Sequence, residues 1–76
     1  RKKIYIIVGS FSDLNNAQAL SKQLKKRGFP NAQIIEKTEN GLIRVSVDSF
    51  FTEEEAHAIL ANVKKQLSSA WILNQN

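Results

Sequence analysis

Leu42-Ile43-Arg44-Val45-Ser46-Val47-Asp48-Ser49-Phe50 opens on an alternating pattern and ends on four residues that restate an earlier stretch, Val8-Gly9-Ser10-Phe11. Over residues 42–47 the alternation has the period of a β-strand: Ile43, Val45 and Val47 point one way, and Leu42, Arg44 and Ser46 the other. The restatement extends further. Val8, Ser10, Phe11, Ala17, Ala19, Lys25 and Lys26 recur 39 positions on, as Val47, Ser49, Phe50, Ala56, Ala58, Lys64 and Lys65, with Leu20 matched by Ile59 and Leu24 by Val63. Each copy reads as a strand, a Ser-Phe corner and a helix. Each ends in a second apolar stretch, Ala32–Glu36 in the first and Ala70–Leu73 in the second.

The chemistry of each piece agrees with that reading. Residues 4–8, Ile-Tyr-Ile-Ile-Val, are β-branched or aromatic and suit a strand. A first helix is expected from Asp13 to Arg27. Ser12 or Asp13 caps it, Ala17, Leu20 and Leu24 form its apolar face, Lys25, Lys26 and Arg27 fall in its last turn, and Gly28 follows in the C′ position. A second helix starts with Thr52-Glu53-Glu54-Glu55, in which Thr52 and Glu55 make a capping box, and it buries Ala56, Ile59, Leu60, Val63 and Leu67. Asn40-Gly41 signals a hairpin between the second and third strands.

Two βαβ units in one short chain predict an α+β, ferredoxin-like βαββαβ fold: a four-stranded antiparallel sheet with two helices on one face. No third layer remains for the other face. With the first and third strands central, alternation puts Tyr5, Ile7, Gly9, Leu42, Arg44 and Ser46 on that open face. On the fourth strand, Ala70 and Ile72 turn inward and Trp71 and Leu73 outward; the opposite assignment, with Trp71 in the core, is the alternative. An exposed apolar and aromatic face with an arginine on it suits a flat or extended ligand.

Composition narrows the chemistry. The chain has 76 residues, enough for a single domain spanning 1–76 with a thin core. It begins at Arg1, not Met, and is expected to be a fragment of a longer protein. With no Cys, disulfides, thiolate metal sites and Cys nucleophiles are excluded. No apolar run in this fragment is long enough to cross a bilayer, and no signal peptide is present. Eleven Lys+Arg against seven Asp+Glu give +4 and a pI near 9.7. That mild basicity suits an acidic polymer, though the charges are dispersed enough to serve solubility alone.

Nothing assembles into a catalytic set. His57 is the only histidine and cannot make a zinc site without partners. Glu53, Glu54 and Glu55 fan out around a helix and are accounted for by capping, and Asp48 faces no second carboxylate across a cleft. Gly9-Ser10-Phe11-Ser12 has one glycine and is no phosphate loop. A non-enzyme with no cofactor and no metal is expected.

Tyr5-Ile-Ile-Val-Gly-Ser-Phe11, Asn16-Ala17, Leu20, Leu24, Gly28-Phe29, Arg44-Val-Ser-Val-Asp-Ser-Phe50, Ala56 and Ala70-Trp-Ile-Leu73 together resemble a SPOR domain, the sporulation-related repeat. The resemblance covers residues 4–73. It departs at Ile7, where such domains commonly carry Gln, and at Asp48-Ser49, where Gly-Pro is frequent. The resemblance implies non-catalytic binding of peptidoglycan glycan strands, preferentially those stripped of stem peptides. It implies a place in the bacterial cell envelope, periplasmic or extracytoplasmic, or at the division septum. By the same resemblance Ser10 and Arg44 match positions tied to glycan binding, Leu42 takes a place that is often aromatic, and Trp71 borders the glycan. The expected glycan-binding set is Tyr5, Ile7, Ser10, Phe11, Leu42, Arg44, Ser46, Trp71 and Leu73. Division proteins or a second copy are further candidate partners.

Two other readings use the same face. RNA-recognition domains share the layout, but their third strand carries aromatics, and Leu42–Val47 has none, so no nucleic acid partner is expected. A protein–protein or dimerisation module needs only the apolar surface.

Overall fold

The computed structural model describes residues 1–35 and 38–76. The elements follow in the expected order: β1 (Ile4–Phe11), α1 (Leu14–Lys26), β2 (Gln33–Ile35), β3 (Ile43–Phe50), α2 (Glu53–Gln66) and β4 (Trp71–Asn74). The four strands form one antiparallel sheet in the order β2-β3-β1-β4. The fold is α+β and ferredoxin-like. Ala17 and Leu24 of α1 and Ala56 and Val63 of α2 share one apolar cluster with Ile4, Ile6, Ile43, Val45 and Val47, so both helices cover the same side of the sheet. The expected end of the second strand at Glu36 lies outside the described residues.

Local chemistry sets the helix ends. Asp13 is the N-cap of α1, and its carboxylate accepts the Asn15 N–H at 2.8 Å. At the other end Phe29 N–H donates to the Leu24 carbonyl at 3.0 Å and Gly28 N–H to that of Lys25 at 3.4 Å. This is the Schellman arrangement, closed by apolar packing of Leu24 and Phe29 on the core. It requires the left-handed φ of 99° that Gly28 adopts. The capping box of α2 is formed: Glu55 N–H donates to Thr52 Oγ1 at 3.2 Å, and Thr52 N–H donates to Glu55 Oε1 at 3.0 Å.

Both long strands run through the Ser-Phe corners, three residues past their expected ends, because each takes up an irregularity. Along the β1–β3 ladder Ile6 pairs with Asp48, Ile7 with Ser46 and Gly9 with Val45. Val47 in β3 and Val8 in β1 are therefore left without partners, and these two bulges sit at positions the internal repeat equates. Each shifts the register by one residue, and the shifts cancel. The bulge also corrects the expected place of Gly9. It pairs with core-facing Val45 and turns to the helix side, where an added Cβ would lie 2.9 Å from Leu20 Cδ2. Ser10, paired with Arg44, takes the open side instead.

Ile59 is a second correction. It is 41% exposed, whereas Ala56 and Val63 are buried and Leu60 and Leu67 pack on the core. Ile59 stands at the flank of the buried stripe, and α1 and α2 do not pack closely enough to cover that flank. The hairpin between β2 and β3 turns at Thr38–Leu42, with Gly41 N–H donating to the Thr38 carbonyl at 2.9 Å and Thr38 N–H to that of Leu42 at 2.8 Å. At the far edge Gln75 N–H donates to the Lys3 carbonyl at 2.9 Å, so the two ends of β1 and β4 are tied together.

Candidate functional site

Residues directly opposite in an antiparallel ladder share a face. The pairings therefore define three rows across the open side of the sheet. The middle row is Gln33, Ser46, Ile7 and Trp71, from β2 through β3 and β1 to β4. One outer row is Ile35, Arg44 and Ser10. The other is Ser49, Tyr5 and Leu73.

Arg44 and Trp71 dominate this surface. The Arg44 guanidinium lies 5.3 Å from the centroid of the Trp71 ring. Arg44 belongs to β3 and Trp71 to β4, with β1 between them. The Arg44 side chain therefore crosses β1, and the stacked pair roofs over Ile7, which has no exposed surface although no helix covers it. Trp71 itself remains 42% exposed, so the outward assignment of Trp71 holds and the core alternative does not. A guanidinium over an indole face still has N–H groups free of the ring to donate to a carboxylate or carbonyl oxygen.

The other expected site residues divide into four groups. Tyr5 and Leu73 are half-buried neighbours on the open face, and Ser10 is exposed beside Arg44. Leu42 precedes β3 in the turn and is exposed at the rim. Ser46 is on the face but fully buried, and its hydroxyl already donates to the Asp48 carbonyl at 2.6 Å. Ile7 is likewise on the face and out of reach beneath Arg44 and Trp71. Phe11 is on the opposite side: it pairs with core-facing Ile43, packs against the core, and lines a shallow groove along α1 with Asn16, Ala19 and Leu20. The structure thus brings Tyr5, Ser10, Arg44, Trp71 and Leu73 together on the accessible surface and sets Phe11 apart from them.

Two residues of this face were missed. Gln33 and Ile35 of β2 complete the middle and first rows, and a groove of about 330 Å³ is lined by Tyr5, by Gln33, Ile34 and Ile35 of β2, and by Arg1 and Gln75. The signal was available in the repeat. Ala32 and Ala70 head the two tails and are both buried, which makes Gln33 the counterpart of Trp71.

Among the described residues no group of acidic, histidine or cysteine side chains is placed to hold a metal ion, and no helix is long and apolar enough to cross a membrane. Neither the comparison with curated proteins nor that with solved structures returned a match. The comparison with family models matched the SPOR domain over residues 1–74, essentially the whole chain. Domains of that family are generally found in bacterial envelope and division proteins, where they bind and do not catalyse. Matched over essentially its whole length, the chain belongs to the SPOR domain family of peptidoglycan-binding domains.

Proposed function

We propose that this domain binds peptidoglycan glycan strands lacking stem peptides on the open sheet face, and so localises its parent protein in the cell envelope or at the division septum. The observation that carries this reading is the Arg44–Trp71 pair, stacked at 5.3 Å on the face that no helix covers. A peptide-free glycan offers hydroxyls, N-acetyl groups and lactyl carboxylates. Arg44 meets the carboxylate or acetamido oxygens, Ser10 donates beside it, and Trp71, Tyr5 and Leu73 pack on sugar faces and acetyl methyls. The net charge of +4 favours an acidic polymer. An RNA ligand fits less well, because Phe50, the aromatic of β3, packs into the core and leaves that strand without an aromatic on the face.

The test is a pull-down with purified sacculi, untreated and amidase-digested, using the wild type and Arg44→Ala. Binding should rise after digestion. Loss of one charge-assisted contact in Arg44→Ala should weaken it by about 2 kcal/mol, roughly thirtyfold, with the fold intact by circular dichroism. Equal binding by the variant would remove the open face from consideration. No binding to either sample, together with a mass that grows with concentration, would favour the dimerisation reading of the same surface.

A further inference from the structure

The internal repeat makes the open face two-fold. Ile7 and Ser46 are equivalent in the repeat and are paired with each other, so the axis relating the halves passes between them. About that axis Tyr5 is the counterpart of Arg44, and Gln33, opposite Ser46, is the counterpart of Trp71, opposite Ile7. The Arg44–Trp71 pair therefore has a mirror position on the β2 side, occupied by Tyr5 and Gln33. That position is the groove of about 330 Å³ lined by Tyr5, Gln33, Ile34, Ile35, Arg1 and Gln75.

The two halves differ in chemistry. The first presents a cation on an indole. The second presents a phenol, a primary amide and the edge of a buried isoleucine, with Gln33 exposed on the outermost strand. An amide side chain both donates and accepts, which complements an acetamido group. The phenol ring and Ile35 supply apolar contact for a sugar face or an acetyl methyl. Peptidoglycan glycan alternates an acidic lactyl-bearing sugar with a neutral N-acetylated one. Resting on the glycan reading above, we infer that Tyr5, Gln33 and Ile35 form a second subsite, which takes a neutral N-acetylated sugar of the disaccharide unit next to the one whose acidic sugar lies at Arg44 and Trp71. The strand then runs across the sheet along the middle row, from β4 to the β2 edge. A two-sugar fragment fills the first half alone, and longer chains engage both.

The experiment is calorimetric titration of the wild type, Arg44→Ala and Gln33→Ala with peptide-free glycan fragments of two sugars and of six or more. Gln33 is exposed on an edge strand, so its replacement leaves the fold intact, as circular dichroism would verify. Gln33→Ala should bind the long fragment about tenfold more weakly than the wild type and the two-sugar fragment equally well. Arg44→Ala should lose affinity for both. Unchanged affinity of Gln33→Ala for the long fragment, or an equal loss for both lengths, overturns the second subsite while leaving glycan binding in place. A wild type that binds neither fragment removes the glycan reading, and the subsite with it.

Discussion

Arg44 and Trp71 show how one contact fixes several residues at once. Arg44 reaches across β1 to stack on Trp71, and the stack accounts for the burial of Ile7 on a side of the sheet that no helix covers. Trp71→Ala should separate binding from stability. Removing the ring loses the cation–π contact and uncovers part of Ile7, which Arg44 still covers in part, and costs the fold about 1 kcal/mol. It should cost glycan binding about 2 kcal/mol, as loss of a central aromatic anchor does. Chemical denaturation and sacculus binding measured on the same sample check the two numbers, and a stability loss as large as the binding loss would assign Trp71 to the core. The outward direction of Trp71 was legible in the alternation of Ala70-Trp71-Ile72-Leu73. The burial of Ile7 was not, because it depends on a side chain reaching over from two residues along a neighbouring strand. Nor was the helix-side position of Phe11, which follows from the shift at Val8 and Gly9 and breaks strict alternation just before the corner.

The helices and strands were legible wherever their determinants are local. Capping chemistry within a few residues defines both ends of α1 and the start of α2, and each was readable from Asp13, Gly28 and the Thr52–Glu55 pair. Thr52→Ala should remove the Oγ1 acceptor of the Glu55 N–H and lower unfolding free energy by about 1 kcal/mol, measured by urea titration, with glycan affinity unchanged. A drop in affinity would mean that α2 contributes to the ligand surface. Where an element depends on its neighbours, the sequence pattern falls short. Ile59 has the spacing of a buried residue, yet its exposure is set by the distance between α1 and α2. The extension of β1 and β3 through their corners needs the paired bulges at Val8 and Val47, which only the register between two strands reveals.

At the scale of the whole molecule, the repeat makes the βαββαβ order and the one-sided helix layer readable from the sequence, since two equal units that each bury one face have few ways to share a core. It gave no sign of how the two halves of the open face divide their chemistry, because matched positions carry unlike side chains: Tyr5 against Arg44, and Gln33 against Trp71. The hydrogen bond from Gln75 N–H to the Lys3 carbonyl has a consequence for connectivity. Residues 3 and 75 leave the sheet side by side, so a short glycine-serine linker can join them while the backbone is opened between Asn40 and Gly41, two residues that line neither half of the face. Such a circular permutant should keep the circular dichroism spectrum and glycan affinity of the parent. The domain would then be indifferent to whether its neighbours in a chain attach at the β1–β4 edge or at the opposite loop, behaving as a bead that can be threaded from either side.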